Sequence, residues 1–197
     1  MSEQEWVARA QAGDAQAFTQ LVELYQTPIY NLCYRMLGEA REAEDAAQET
    51  FLRAYAQLYR YQLGRSFKTW LFSIASHHCI DHLRKRRLLW LSLDEPLEPH
   101  PALNEPTPGP EDSSVRREQT QLVETMLKKL SPEDRSAVIL RYWNDLSYEE
   151  IADATHSSVS AVKSRLHRAR VSLAALLKNE SRSAAMTAPH PELALEG

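Results

Sequence analysis

Six of the chain's ten prolines fall between positions 88 and 114, and that stretch divides everything else. Proline fixes φ and removes a backbone N–H, so at this density neither helix nor sheet persists. The same stretch holds six acids and no Lys or Arg. It predicts an extended, flexible acidic linker over 88–114. A folded unit must then form on each side, from residues 1–87 and from residues 115–178. The tail 179–197, rich in Ser, Ala and Pro, is expected to be disordered.

Both flanking units read as helical. The chain has five glycines in 197 residues, no alternating run of β-branched residues, and long stretches of Ala, Leu, Glu, Gln and Arg. That pattern predicts an all-α class. In the first unit, Gly13-Asp14 can cap a helix running to about Leu37. It would bury Phe18, Leu21, Val22, Tyr25, Ile29, Leu32, Cys33 and Met36. Pro28 should kink or interrupt it, and Gly38 should end it. A second helix is expected over Ala40–Leu58, burying Ala43, Ala47, Phe51, Ala54, Tyr55 and Leu58. After a polar segment, Tyr59–Ser66, a third runs from Phe67 to about Arg87 with Trp70, Leu71, Ile74, Ile80 and Leu83 inward.

In the second unit a helix covers about 115–129. Ser131-Pro132-Glu133-Asp134 is a helix start, with a Ser cap, Pro at the first position and acids in the first turn. That helix buries Val138, Ile139 and Tyr142. Ser147-Tyr-Glu-Glu150 has the form of a capping box, opening a short helix that buries Ile151 and Ala152. Ser158 can cap a last helix in which Val159, Val162, Leu166, Ala169, Leu173 and Leu176 recur at spacings of three and four.

A short capped helix, a tight turn and a longer helix form the pattern of a helix-turn-helix. With the apolar stripe of the last helix turned inward, Ser158, Ala161, Lys163, Ser164, Arg165, His167 and Arg168 lie on or beside its outer face. Small residues let a helix approach base edges, and cations further along reach phosphates. A solvated amphipathic helix would show the same stripe. The capped helix before it favours DNA.

Charge points the same way. The net charge of −4 conceals two basic islands: residues 61–90 carry six bases and one acid, and residues 156–178 carry five bases and no acid. Two such islands flanking an acidic strip fit two contacts with one polyanion. Other classes find little support. No glycine-rich phosphate loop, metal-carboxylate cluster or nucleophile with a nearby base is present, which speaks against an enzyme. His77, His78, Cys79 and His82 hold no complete ligand set, so no metal is expected. Cys33 and Cys79 read as reduced, buried thiols. The start, MSEQEWVARA, lacks a signal-peptide core, and no apolar run reaches the length of a membrane span. A cytoplasmic protein is expected, with no membrane insertion, cofactor or small-molecule substrate.

Two blocks carry a family resemblance. Leu130-SPEDRSAVILRYWNDLSYEEIADATHSSVSAVKSRLHRAR-Arg170 resembles the promoter-binding domain of the extracytoplasmic-function (ECF) sigma factors of bacterial RNA polymerase. Asp45-AAQETFLRAYAQL-Leu58 with Ser66-FKTWLFSIASHHCIDHLRKRR-Arg87 resembles their N-terminal domain. The order is right and a linker separates the blocks. The resemblance implies a dissociable subunit that binds core RNA polymerase and directs it to promoters. It implies duplex contact at the −35 element and contact with the melted strand at the −10 element. It also implies control by an anti-sigma factor.

It assigns residues as well. The −35 contact would fall to Ser158, Ser160, Ala161, Lys163, Ser164, Arg165 and Arg168. The −10 contact would fall to Tyr59, Tyr61, Gln62 and Arg65 in the loop and to Lys68, Trp70, His77, His78, Asp81, Arg84 and Arg87 on the helix. Asp45, Gln48, Glu49 and Arg53 would dock on the polymerase, and the acidic linker would run through its cleft. Trp70 and Phe67 read more readily as core than as base platforms. Three positions depart from the family pattern. His77 stands where relatives often show Asn, His156 where they usually show Gly, and Ser157 where they usually show an aliphatic side chain. Without homologous context, a conventional helix-turn-helix regulator binding a palindrome is the rival reading.

Overall fold

The computed structural model describes residues 2–92 and 114–187. The described residues form eight α-helices and one 3₁₀ turn, with no strand among them. The helices are α1 (Glu3–Gln11), α2 (Ala15–Leu37), α3 (Ala40–Gln57), α4 (Phe67–Ser92), α5 (Ser114–Lys128), α6 (Pro132–Tyr142), α7 (Tyr148–Ala154) and α8 (Val159–Thr187); the 3₁₀ turn is Leu58–Arg60. The expected all-α architecture is present, with its helix-turn-helix in α7 and α8.

The start and stop signals act as their chemistry dictates. Asp14 caps α2 by accepting from the backbone N–H groups of Gln16 and Ala17. Gly38 ends it in the left-handed conformation, φ 76°. A Cβ there would meet only the flexible end of Lys128, which can move aside, so it is the left-handed backbone that calls for glycine. Ser147 and Glu150 form the complete capping box of α7. The helix α1, not singled out in the sequence, has its own capping box in Ser2 and Glu5.

Four expectations need correction. The helix α2 continues through Pro28 without a break. Its neighbours Tyr25 and Ile29 are deep in the core, and packing outweighs one lost hydrogen bond. Tyr55 and Tyr142 are exposed at 53% and 55%; both sit at the margin of their apolar stripes, where a phenol can stay wet. The helix α4 runs past Arg87 to Ser92. Leu88–Leu91 favour helix, and the first proline comes only at Pro96. The helix α8 runs past 178 to Thr187, because Ala, Arg, Glu and Met support helix and no proline intervenes before Pro189. The rest of the expected linker, 93–113, and of the tail, 188–197, lies outside the described residues.

The two helical units share one contiguous core. Arg135 of α6 reaches across and donates to the Met36 carbonyl at the end of α2. Its other terminal nitrogen donates to the Lys128 carbonyl at 2.8 Å. Burial lowers the Arg135 pKa to about 10, which leaves it charged at neutral pH. Further along the seam, Lys68 of α4 donates to the Asn144 carbonyl at 2.7 Å. The Arg35 guanidinium lies 5.3 Å from the Trp143 ring centre. The helix-turn-helix thus rests on α4, which carries most of the basic island 61–90.

Candidate nucleic-acid interface

In the helix-turn-helix, Val162, Leu166 and Ala169 are buried and hold α8 against α6 and α7. The opposite face is presented outward: Ser158, Ser160, Lys163, Ser164 and Arg168 are exposed, while Ala161 and Arg165 are half-buried. Ser158 caps the helix by accepting from the Ala161 N–H at 3.1 Å. Arg168 donates to Asp134 at 2.9 Å, and Lys163 lies 6.0 Å from the Tyr148 ring centre. These contacts brace the two cations without burying them.

The turn itself absorbs both departures from the family pattern. His156 takes the left-handed conformation, φ 47°, a region glycine enters freely and other residues enter at some cost. Ser157 is half-buried, and its hydroxyl lies 2.8 Å from that of Thr155. The half-buried hydroxyl thus has a partner.

The candidates for the melted strand split into two groups. Tyr59, Gln62, Arg65, Asp81, Arg84 and Arg87 are exposed. Tyr61, by contrast, is only 8% exposed. Its ring packs on Phe67 and Trp70, with centroids 5.6 and 5.2 Å away, and its hydroxyl donates to the Arg65 carbonyl. It shapes the loop from within and is not free to stack on a base. Gln11 anchors the same loop by donating to the carbonyls of Leu58 and Tyr61 at 2.8 and 2.7 Å.

Lys68, Trp70, His77 and His78 are half-buried. A cleft of about 480 Å³ opens beside this helix face, and α7 forms its other wall. Tyr61, Arg65, Thr69 and Trp70 line one side, and Glu150, Asp153 and His156 line the other. Glu150 lies 3.3 Å from the Thr69 hydroxyl. Its pKa is lowered, chiefly by the Ser147 backbone N–H, so the cleft wall stays anionic at neutral pH. Arg84 donates to Glu133 of α6 at 3.0 Å through Nε. Burial alone would raise the Glu133 pKa, but its own N–H and Arg84 more than reverse this. The basic face of α4 is therefore met by carboxylates of the second unit.

Elsewhere on the first unit, Asp45, Gln48 and Arg53 are exposed on α3, and Glu49 is half-buried. Arg53 donates to Glu49 at 2.6 Å, one helical turn apart. Gln48 borders a shallow groove between α2 and α3 of about 360 Å³, with Val22, Tyr30, Ala47 and Phe51. This apolar companion to the polar residues was not anticipated.

The two blocks match known families in register with these elements. Residues 21–88 match Sigma-70 region 2, and residues 120–173 match Sigma-70, region 4. The ECF RNA polymerase sigma factor SigW of Bacillus subtilis is 35% identical over 178 residues, covering 88% of this chain and 95% of that protein. This chain belongs to the ECF sigma factors. The RNA polymerase sigma-H factor of Pseudomonas aeruginosa is 36% identical over 174 residues, covering 85% of this chain and 90% of that protein. Among solved structures, CnrH in complex with the cytosolic domain of CnrY superposes with a TM-score of 0.68 at 26% identity, over 90% of this chain and 97% of that one. The sigma factor RpoE in complex with the anti-sigma factor NepR, from Bartonella quintana, gives 0.64 at 28% identity, over 83% and 98%. For this ECF sigma factor, the family excludes the conventional helix-turn-helix regulator. Among the described residues no helix is long and apolar enough to cross a membrane, and no group of three or more His, Cys, Asp or Glu is placed to hold a metal.

Proposed function

We propose that this sigma factor divides promoter recognition between its two helical units, 1–87 and 115–178. The outer face of α8 reads the −35 duplex. Ser158, Ser160, Ala161 and Ser164 approach base edges, and Lys163, Arg165 and Arg168 hold phosphates. The loop after α3 and the face of α4 take the melted −10 strand. Tyr59 supplies the stacking ring, and Arg65, Lys68, Arg84 and Arg87 supply backbone charge. Gln62, Trp70, His77, His78 and Asp81 set the shape and polarity of that face, and Tyr61 fixes the loop from beneath. Core polymerase docks on α3 through Asp45, Gln48, Glu49 and Arg53, with the neighbouring groove as its apolar seat. The chain acts by binding alone and catalyses nothing itself. It works in the cytoplasm and is held by an anti-sigma factor until needed, as the complex of the NepR-bound relative suggests.

The observation that carries this reading is the capped helix-turn-helix whose second helix buries Val162, Leu166 and Ala169 and turns Lys163, Ser164 and Arg168 outward. The test is run-off transcription from fragmented genomic DNA with core polymerase, with and without the chain, sequencing 5′ ends. New starts sharing one motif near −35 and another near −10 are expected. No new starts, together with no binding to core polymerase, would overturn the reading.

A further inference from the structure

His77 and His156 meet across the seam between the two units. Their rings stack with centroids 4.8 Å apart and planes 19° from parallel. His77 stands on α4 in the first unit. His156 stands in the turn between α7 and α8 of the second. His156 takes φ 47° in a turn closed by the Ser157 N–H donating to the Ala152 carbonyl at 2.9 Å. A glycine would fit that turn with less strain.

We propose that the His77–His156 stack is a proton-sensitive latch that holds the helix-turn-helix over the strand-binding face of α4, and that protonation releases it. The inference rests on the assignment of α4 as the face for the melted strand; the two rings add a pH-dependent contact to a seam also held by Arg135, Lys68 and Arg84.

The proton has a defined place. His77 Nδ1 lies 2.8 Å from the Ser73 carbonyl, which can only accept, so Nδ1 carries the hydrogen in the neutral ring. An added proton therefore goes to Nε2. The cation so formed is half-buried and faces a second imidazole, an arrangement that disfavours charge on both counts. The structure bears this out: His77 is held below the ordinary histidine value, chiefly by desolvation, with His156 and Arg84 adding to the effect against the Ser73 carbonyl and Asp81. When the units part, His77 is rehydrated and binds its proton more readily. The open form thus holds more protons than the closed form, and closure weakens as pH falls below the ordinary histidine value.

Other charged groups also face the seam. From α4 come Lys68, Asp81 and Arg84; from α6, Glu133; from α7, Glu150 and Asp153; and Arg165 of α8 faces Glu133. Glu133 and Glu150 both sit below the usual carboxylate range and stay charged. His78 faces Arg53 and Glu49 of α3 and stands next to His82, within the first unit. His167 is exposed on α8.

The test is solution X-ray scattering of the full chain without polymerase, from about pH 7.5 to about pH 5.5, a span that brackets the histidine range. Wild type is expected to rise in radius of gyration on acidification. His156→Gly and His156→Asn, which suit the turn and remove the ring, should be more expanded at the upper pH and respond little to acid. A wild-type radius that does not change with pH would overturn the latch, and so would a His156→Asn chain with the wild-type transition. Binding of a fluorescent mixed-sequence single-stranded DNA is measured on the same samples. Should His156→Gly be open yet bind that DNA no better than wild type, the latch would stand and the strand-binding assignment would fall.

Discussion

Arg84 and Glu133 join the basic end of α4 to the first turn of α6, Nε to Oε1 at 3.0 Å. A cation suited to a phosphate is thus occupied by a carboxylate of the same chain, 49 positions away. The pair is partly exposed, 59% at Arg84 and 28% at Glu133, so it contributes no more than about 1 kcal/mol. Glu133→Gln is therefore expected to tighten binding of single-stranded DNA by the free chain by about two- to fivefold. A fluorescence-anisotropy titration checks this. No change at low salt would mean that the carboxylate does not compete for Arg84.

Arg135 is the deeper tie. It is 5% exposed and satisfies carbonyls at the ends of α2 and α5. Arg135→Met removes the charge and keeps the volume, but leaves the Met36 and Lys128 carbonyls without a donor. A loss on the order of 1–3 kcal/mol per buried carbonyl is expected. Urea unfolding of the full chain measures it. A midpoint equal to wild type would show that the freed carbonyls find water.

These two contacts also mark where the sequence stopped being informative. The capping box of α7, the Gly38 stop and the buried stripe of α8 were legible because each is a local pattern of known period. Arg135 and Met36 lie 99 positions apart, and no periodicity announces such a pair. Tyr55 and Tyr142 were misplaced because a tyrosine at the edge of a stripe fits either side. Tyr61 was misplaced in the other direction: beside Tyr59 in a polar loop it read as a second stacking ring, while Phe67 and Trp70 had already claimed it. His77 and His156 were each conspicuous alone, and only the fold brings them together.

The capping box of α7 has a pH signature. The Ser147 N–H and hydroxyl hold the Glu150 pKa below its ordinary value of 4.5. Its contribution to stability is therefore complete above that value and is lost as pH falls through the lowered one. Glu150→Gln is expected to flatten the acid limb of thermal stability, and Ser147→Ala to cost about 1 kcal/mol at neutral pH. Melting temperatures from pH 3 to 7, a span around the ordinary carboxylate value, separate the two. Parallel acid limbs for wild type and Glu150→Gln would assign the acid sensitivity elsewhere.

Arg165 gives the cleanest test of the duplex reading. It is half-buried near the start of α8, one turn beyond the exposed Ser160 and the half-buried Ala161, and its charge also reaches Glu133. Phosphate contacts release counterions, so each contributes about 0.9 to the slope of log affinity against log salt. Arg165→Ala should weaken −35 duplex binding at low salt and flatten that slope by about one contact. Arg165→Lys should restore the slope, since the point charge remains, but only part of the affinity, since the planar fork is lost. A base-reading role would give a different outcome: affinity would fall on the preferred sequence alone, with little change on a scrambled duplex. Gel-shift titrations at several salt concentrations on both duplexes distinguish the two, and unchanged binding on both would remove Arg165 from the interface.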